Sequence, residues 1–284
     1  MVISIKKWVL FKFPFLYKVR VAQLQTRRRF QDVLARCLFA RRKSAIELPY
    51  RCAKHKSVLR RTLQGSDPQL QENKITNLRI ALGHIDGIII RPGETFSFWR
   101  LVGKPTARKG YIDGLMLAYG EVRKGVGGGL CQLANLLFWL ALHTPLQIKE
   151  RHHHSFDLFP DDRRTVPFGS GTSIFYNYLD LRFFNPTDYT FQLKLWLTDT
   201  HLEGTVRCDS LLPLLYRIEE RNHRFYEWNG LWYRENEIWR LELDAASGDI
   251  LTETMLLHNR AEVKYVVRQE KMGHKSVGRY GEEK

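Results

Sequence analysis

Residues 125–142 read Gly-Val-Gly-Gly-Gly-Leu-Cys-Gln-Leu-Ala-Asn-Leu-Leu-Phe-Trp-Leu-Ala-Leu, and this stretch decides the architecture. The glycines interrupt any regular element, because they reach backbone conformations closed to other residues. From Leu133 to Leu142 the chain is an apolar run of helical length, ended by Thr144-Pro145. A helix apolar all round belongs inside a core. The pattern predicts a buried helix with Cys131 at its start.

Working outward, Gly65-Ser66-Asp67-Pro68 is a turn, followed by a helix carrying Ile75, Leu78, Leu82 and Ile85 and ending near Asp86-Gly87. Ile88–Ile90 reads as a short buried strand stopped by Pro92-Gly93, Thr95–Trp99 as a strand, and 103–110 as a basic loop. Beyond the central helix, Leu146–Glu150 has strand character, and residues 172–178 and 180–185 are β-rich. A turn at Asn185-Pro186-Thr187-Asp188 precedes the alternating strand Tyr189–Leu197. Residues 216–267 read as a meander of short strands, with turns at Asn229-Gly230 and 246–249. The expected fold is α+β. A helix-borne cysteine packs against a mostly antiparallel sheet in a core domain at 67–210. A basic helical segment occupies 1–66, a β-meander 211–267 and a disordered tail 268–284.

Composition narrows the function. With 44% hydrophobic and 26% charged residues, the 284-residue chain has globular rather than disordered character. Its formal charge is +15, and 17 of its 45 lysines and arginines fall within residues 1–66, against only Asp32 and Glu47. The remainder is balanced. A neutral body without a recognition motif argues against nucleic-acid binding. The basic segment holds Trp8, Phe11, Phe13, Phe15 and Tyr17, then Arg27-Arg28-Arg29 and Arg41-Arg42-Lys43, a composition suited to peripheral contact with an anionic membrane. Helical spacing of Leu24, Phe30, Val33, Leu34 and Leu38 offers the alternative that this segment packs on the domain by an apolar stripe. No apolar run approaches the length of a membrane span, and Trp8–Tyr17 is broken by Lys12 and Pro14 without a small-residue cleavage site. The expected location is cytoplasmic, peripheral at the inner membrane face. Cys37, Cys52, Cys131 and Cys208 are scattered, which argues against a disulfide framework or a Cys-rich zinc site.

Cys131 carries the sharpest chemistry. A helix N-terminus presents free N–H groups and the positive end of the dipole, which favour a thiolate. Nearby N–H groups are suited to an oxyanion. Histidines follow one helix later, at His152, His153 and His154, in the Cys-then-His order of papain-like nucleophilic sites. Cys131 and His154 are the candidate catalytic pair, with Gly127, Gly128, Gly129, Gln132, Glu150, Arg151 and Ser155 as candidate substrate-binding residues. Glu150 and Arg151 are placed to form a local ion pair. The glycines have a plainer reading as a tight turn, and Cys131 as a packed apolar side chain. A metal site built from the histidines with Cys131 or Asp157 is arithmetically open, but the spacing is not that of a zinc motif. No cofactor or metal is expected.

Four motif blocks add a resemblance: Gly127-Gly128-Gly129-Leu130-Cys131-Gln132, Glu150-Arg151-x-x-His154-Ser155, Asp180-Leu181-x-Phe183-x-Asn185, and Ile90-x-Pro92-Gly93-Glu94-x-Phe96-Ser97. Together they resemble the VanW family of bacterial proteins, associated with glycopeptide-resistance clusters and the cell envelope. The resemblance implies a peptidoglycan precursor peptide as partner and matches His154 among the three histidines. Many relatives carry Gly-x-Asp-Ala-Thr-Val after the histidine. Here the stretch is Gly169-Ser170-Gly171-Thr172-Ser173-Ile174, so Gly171 replaces the aspartate. Asp157, Asp161 or Asp180 is left to orient the histidine. Two readings result: a cysteine-dependent amide hydrolase or acyl transferase, or a non-enzymatic protein gripping an anionic cell-wall precursor or membrane surface.

Overall fold

The computed structural model describes residues 14–60, 67–118, 121–153, 156–157, 165–176, 178–265, 267 and 275–280. Helix α1 (Pro14–Leu34) precedes strand β1 (Tyr50–Val58). Helix α2 (Pro68–Ile85) starts about two turns before its first buried apolar residue, Ile75, because Asp67 caps it and accepts from Gln69 N–H at 2.9 Å. Strands β2 (Ile89–Ile90) and β3 (Thr95–Ser97) follow. The strand expected to run to Trp99 stops at Ser97, whose Oγ caps helix α3 (Phe98–Val102) by accepting from Arg100 N–H. A hairpin of β4 (Asp113–Ala118) and β5 (Glu121–Val126) leads into α4 (Cys131–Leu142), which begins at Cys131 itself. Then come β6 (Gln147–Glu150), β7 (Phe156–Asp157), β8 (Arg182–Phe184), β9 (Phe191–Leu197) and β10 (His201–Cys208). The chain continues with β11 (Leu214–Trp228), β12 (Leu231–Asp244), β13 (Ile250–Val263) and β14 (Lys275–Tyr280).

The result is an α+β fold with mostly antiparallel sheets. One sheet has the order β1-β10-β9-β2, and a smaller one β3-β8-β6. β1 lies within the basic first 66 residues, yet it pairs with β10 in the main sheet. The meander strands are longer than expected, and they form the order β14-β11-β12-β13-β7, in which β7 joins β13 in parallel. Among the described residues of 172–178 there is no strand; only an isolated Phe175–Leu179 bridge appears. Their amides are used elsewhere: Thr172 N–H donates to Asn135 Oδ1 at 2.7 Å and Ser173 N–H to the His152 carbonyl at 2.7 Å.

Helix α4 is the centre of the core. Nine of its twelve residues are buried, against β1 and β10. Gly204 permits the approach, since a Cβ there would lie 3.1 and 3.2 Å from Leu140 and Leu136 methyls. Two of the motif blocks interlock beside it. Phe96 stacks on Phe183 at 4.3 Å, Ser97 Oγ donates to Asp180 Oδ2 at 2.5 Å, and Gly93 N–H donates to the Asn185 carbonyl at 2.9 Å. Asn185 Nδ2 closes the corner on the carbonyls of Ile90 and Tyr189.

Helix α1 docks by charge. Arg28 grips Glu150 with both terminal nitrogens, and Asp32 receives both terminal nitrogens of Arg182, with Arg100 at 3.6 Å. Of the apolar positions thought to form its stripe, only Leu24 faces the body. Phe30, Val33 and Leu34 are exposed, as is Leu38 beyond the helix. The stripe expectation is therefore reversed, because the buried side of α1 carries the ion-pairing residues.

Candidate functional site at the start of helix α4

Cys131 occupies the first position of α4, after a turn in which Gly127 and Gly129 have φ of +78° and +93°. The glycines are demanded by packing as well as by backbone conformation. A Cβ on Gly128 would lie 2.1 Å from the Gly114 carbonyl carbon, one on Gly127 2.6 Å from Pro105, and one on Gly129 2.2 Å from the Lys74 stem. Asn77, fully buried, donates to the Gly128 carbonyl at 2.9 Å and holds the turn down. The turn's inner side is filled by protein.

The sulfur is half-buried. Burial pushes the Cys131 thiol up, and the neighbouring backbone of Ile174 and of Cys131 itself offsets this only in part. Gly129 and Leu130 N–H, just ahead of the helix, make no hydrogen bond among the described residues, whereas Gln132 N–H is taken by the Gly129 carbonyl. The Gln132 side chain is also committed, donating to Ser57 Oγ at 2.9 Å and the Val58 carbonyl at 2.8 Å. It ties α4 to β1.

Segment 171–174 lies between Cys131 and the histidines that follow β6, with the Ile174 backbone beside the cysteine and the Ser173–His152 hydrogen bond on the other side. His154, Ser155 and Asp161 lie outside the described residues. Glu150 and Arg151 do not pair with each other. Glu150 accepts from Arg28, from the Asp180 amide at 2.9 Å and from His152 Nε2 at 2.9 Å. Burial would raise its pKa, but those hydrogen bonds outweigh it and hold the carboxyl down at about 2. Arg151 instead spans the carbonyls of Gly169 and Gly171 and lies 4.9 Å over the Phe138 ring. Among the described residues no carboxylate is within ion-pair reach of it, and burial lowers its pKa to about 10.

Of the aspartates left to orient a histidine, Asp180 is enclosed by Ser97, Arg182 and the amides of Trp99 and Leu181. Asp157 receives Arg234 at 3.2 Å and Tyr265 OH at 2.8 Å, which ties β7 to the meander. Two neighbours of the sulfur escaped the sequence reading. Asn135, one turn along α4, fixes Thr172, and Ile174 contributes its backbone. An amide side chain inside the apolar run 133–142 was the available signal for the first; a backbone group leaves none. Ser170 Oγ and Thr172 Oγ1, both buried, have no hydrogen-bond partner among the described residues.

Fold and site together define an α+β protein with a half-buried cysteine at the N-terminus of its central helix, ringed by signature residues that lock the fold. The chain belongs to the VanW family. The family described as VanW like protein matches residues 73–207. Vancomycin B-type resistance protein VanW of Enterococcus faecalis is 34% identical over 258 residues, covering 89% of this chain and 92% of that protein. Uncharacterized protein YoaR of Bacillus subtilis is 35% identical over 112 residues, 38% of this chain and 34% of that protein. No solved structure matches the chain.

Proposed function

We propose that this protein is an accessory factor of glycopeptide resistance that uses Cys131 for acyl transfer or amide hydrolysis on a peptidoglycan-type peptide. The observation supporting this reading is a half-buried cysteine at the first position of a buried helix, directly after a turn whose Gly129 and Leu130 N–H groups have no hydrogen-bond partner among the described residues. In this reading the thiol is neutral at rest, because burial holds its pKa up. Its proton passes to His154 as the sulfur attacks the carbonyl carbon. The oxyanion is met by the N–H groups of Gly129 and Leu130. Collapse breaks the C–N bond, the amine leaves with the proton from the imidazole, and water or a second amine takes the acyl group from the thioester.

The test is turnover of a peptidoglycan-type pentapeptide, followed by chromatography and mass spectrometry of the released amine. Cys131→Ala is expected to lose at least about a hundredfold in rate while unfolding at the same temperature. Equal turnover by the variant overturns the reading. A second reading has its own observation: Arg151 is a largely buried cation with no carboxylate within ion-pair reach among the described residues, as a protein that only grips an anionic precursor would need. A Cys131→Ala protein with undiminished resistance, and an Arg151→Ala protein without it, would favour binding over catalysis.

A further inference from the structure

Amphipathic helices on globular domains normally turn their apolar side to the core. Helix α1 does the opposite. Its docked side is Val21, Leu24, Gln25, Arg28 and Asp32, one face at helical spacing, fastened by Arg28 to Glu150 and by Asp32 to Arg182. The other side presents Phe15 at 73% exposure, Phe30 at 66%, Val33 at 71% and Leu34 at 81%, with Leu16 and Val19 also exposed. At 3.6 residues per turn these six share one stripe, and the positions between them on that stripe, Ala22, Gln23 and Thr26, are uncharged. Lys18 and Arg29 line one edge of the stripe, and Arg20 and Arg27 line the other, all exposed. The one carboxylate of the helix, Asp32, is buried on the docked side against Arg182. What α1 shows to its surroundings is thus an apolar band between two cationic edges.

We propose that this face of α1 lies in an anionic lipid surface, its apolar residues among the acyl chains and its cationic edges at the headgroups. The charge pattern selects this occupant. An apolar protein partner would be served by the band alone, whereas a band flanked on both sides by cations, with every acidic group withdrawn, matches a negatively charged interface. Because the same helix is fastened to Glu150, the body is held in one orientation to the membrane, with Arg151 and His152, which follow β6, next to the anchoring pair. The inference does not depend on chemistry at Cys131.

Flotation of the full chain with phosphatidylglycerol–phosphatidylcholine vesicles, compared with phosphatidylcholine alone, tests it. Binding is expected to be at least about tenfold stronger with the anionic lipid and to fall with salt. A Phe30→Asp/Val33→Asp variant is expected to lose about tenfold or more at unchanged thermal stability, and Arg27→Glu/Arg29→Glu to lose the preference for anionic lipid. Cys131→Ala should bind as the parent does. Unchanged vesicle binding by the Phe30/Val33 variant overturns the proposal, as does equal binding to both vesicle types. So does a vesicle-indifferent dimer, seen by sedimentation, that the same variant splits.

Discussion

Helices α1 and α4 are both read from the spacing of apolar residues, and they use those residues in opposite directions. In α4 nine of twelve residues are buried and none is charged, so non-directional burial holds it in place. In α1 the side facing the body carries the ion-pairing residues Arg28 and Asp32, and the side facing away is apolar. Periodicity shows which residues share a face; it does not show which way that face points. For α1 the direction follows from charge, since Glu150 and Arg182 are largely buried and each would lose its nearest opposite charge without its partner on the helix.

The largest expected effect comes from cutting into α4. Phe138→Ala should destabilise the protein by about 3–5 kcal/mol in chemical denaturation, by lost burial and an unfilled cavity. The matching Phe30→Ala change in α1 should stay within about 0.5 kcal/mol, because that ring already faces outward. Comparable losses at the two positions would break the comparison. Next, Asp32→Ala should cost about 2–3 kcal/mol and open α1 to proteolysis. That is less than a fully orphaned buried charge, because Arg182 keeps Asp180 at 2.8 Å. An uncleaved α1 in that variant would show that its docking does not rest on the ion pairs.

Acid should sharpen the same contrast. Glu150 has its pKa depressed in the folded protein from 4.5 to about 2, so its contribution is complete above the unfolded value and disappears as pH falls from about 4.5 toward 2. Over that window the parent should lose roughly 2 kcal/mol more than Glu150→Gln does, in urea titrations followed by circular dichroism. Equal slopes would place the stabilisation elsewhere.

Much of the central architecture was legible in the sequence, because α4 and β2 announce themselves through apolar runs bounded by Gly or Pro, and β6 and β9 through alternation of apolar and polar residues. The start of α4 at Cys131 followed from the glycines, whose close approach to Gly114 and Pro105 also explains why three stand together. Less legible were the elements held by specific polar partners. Segment 172–178 looked β-rich, but Asn135 and the His152 carbonyl claim its amides, and no local pattern reports a partner tens of residues away. Hairpin β4–β5 was missed for a related reason: its sequence, with glycines and lysines, has little strand character, and its position is set by Asn73 and Asn77 reaching from α2. Glu150 and Arg151 invited a local pair because they are adjacent, but β6 ends at Glu150 and the Arg151 guanidinium goes to the carbonyls of Gly169 and Gly171.

In the proposed reaction Cys131 is the group that bonds covalently to the substrate. Acid-quenching the purified protein during incubation with a peptidoglycan-type pentapeptide, then mapping the digest by mass spectrometry, tests this directly. The expected result is an acyl adduct on the peptide containing Cys131, absent from Cys131→Ala and from the peptides of Cys37, Cys52 and Cys208. Substrate consumption with Cys131 unmodified, proceeding equally in the Cys131→Ala protein, would contradict it.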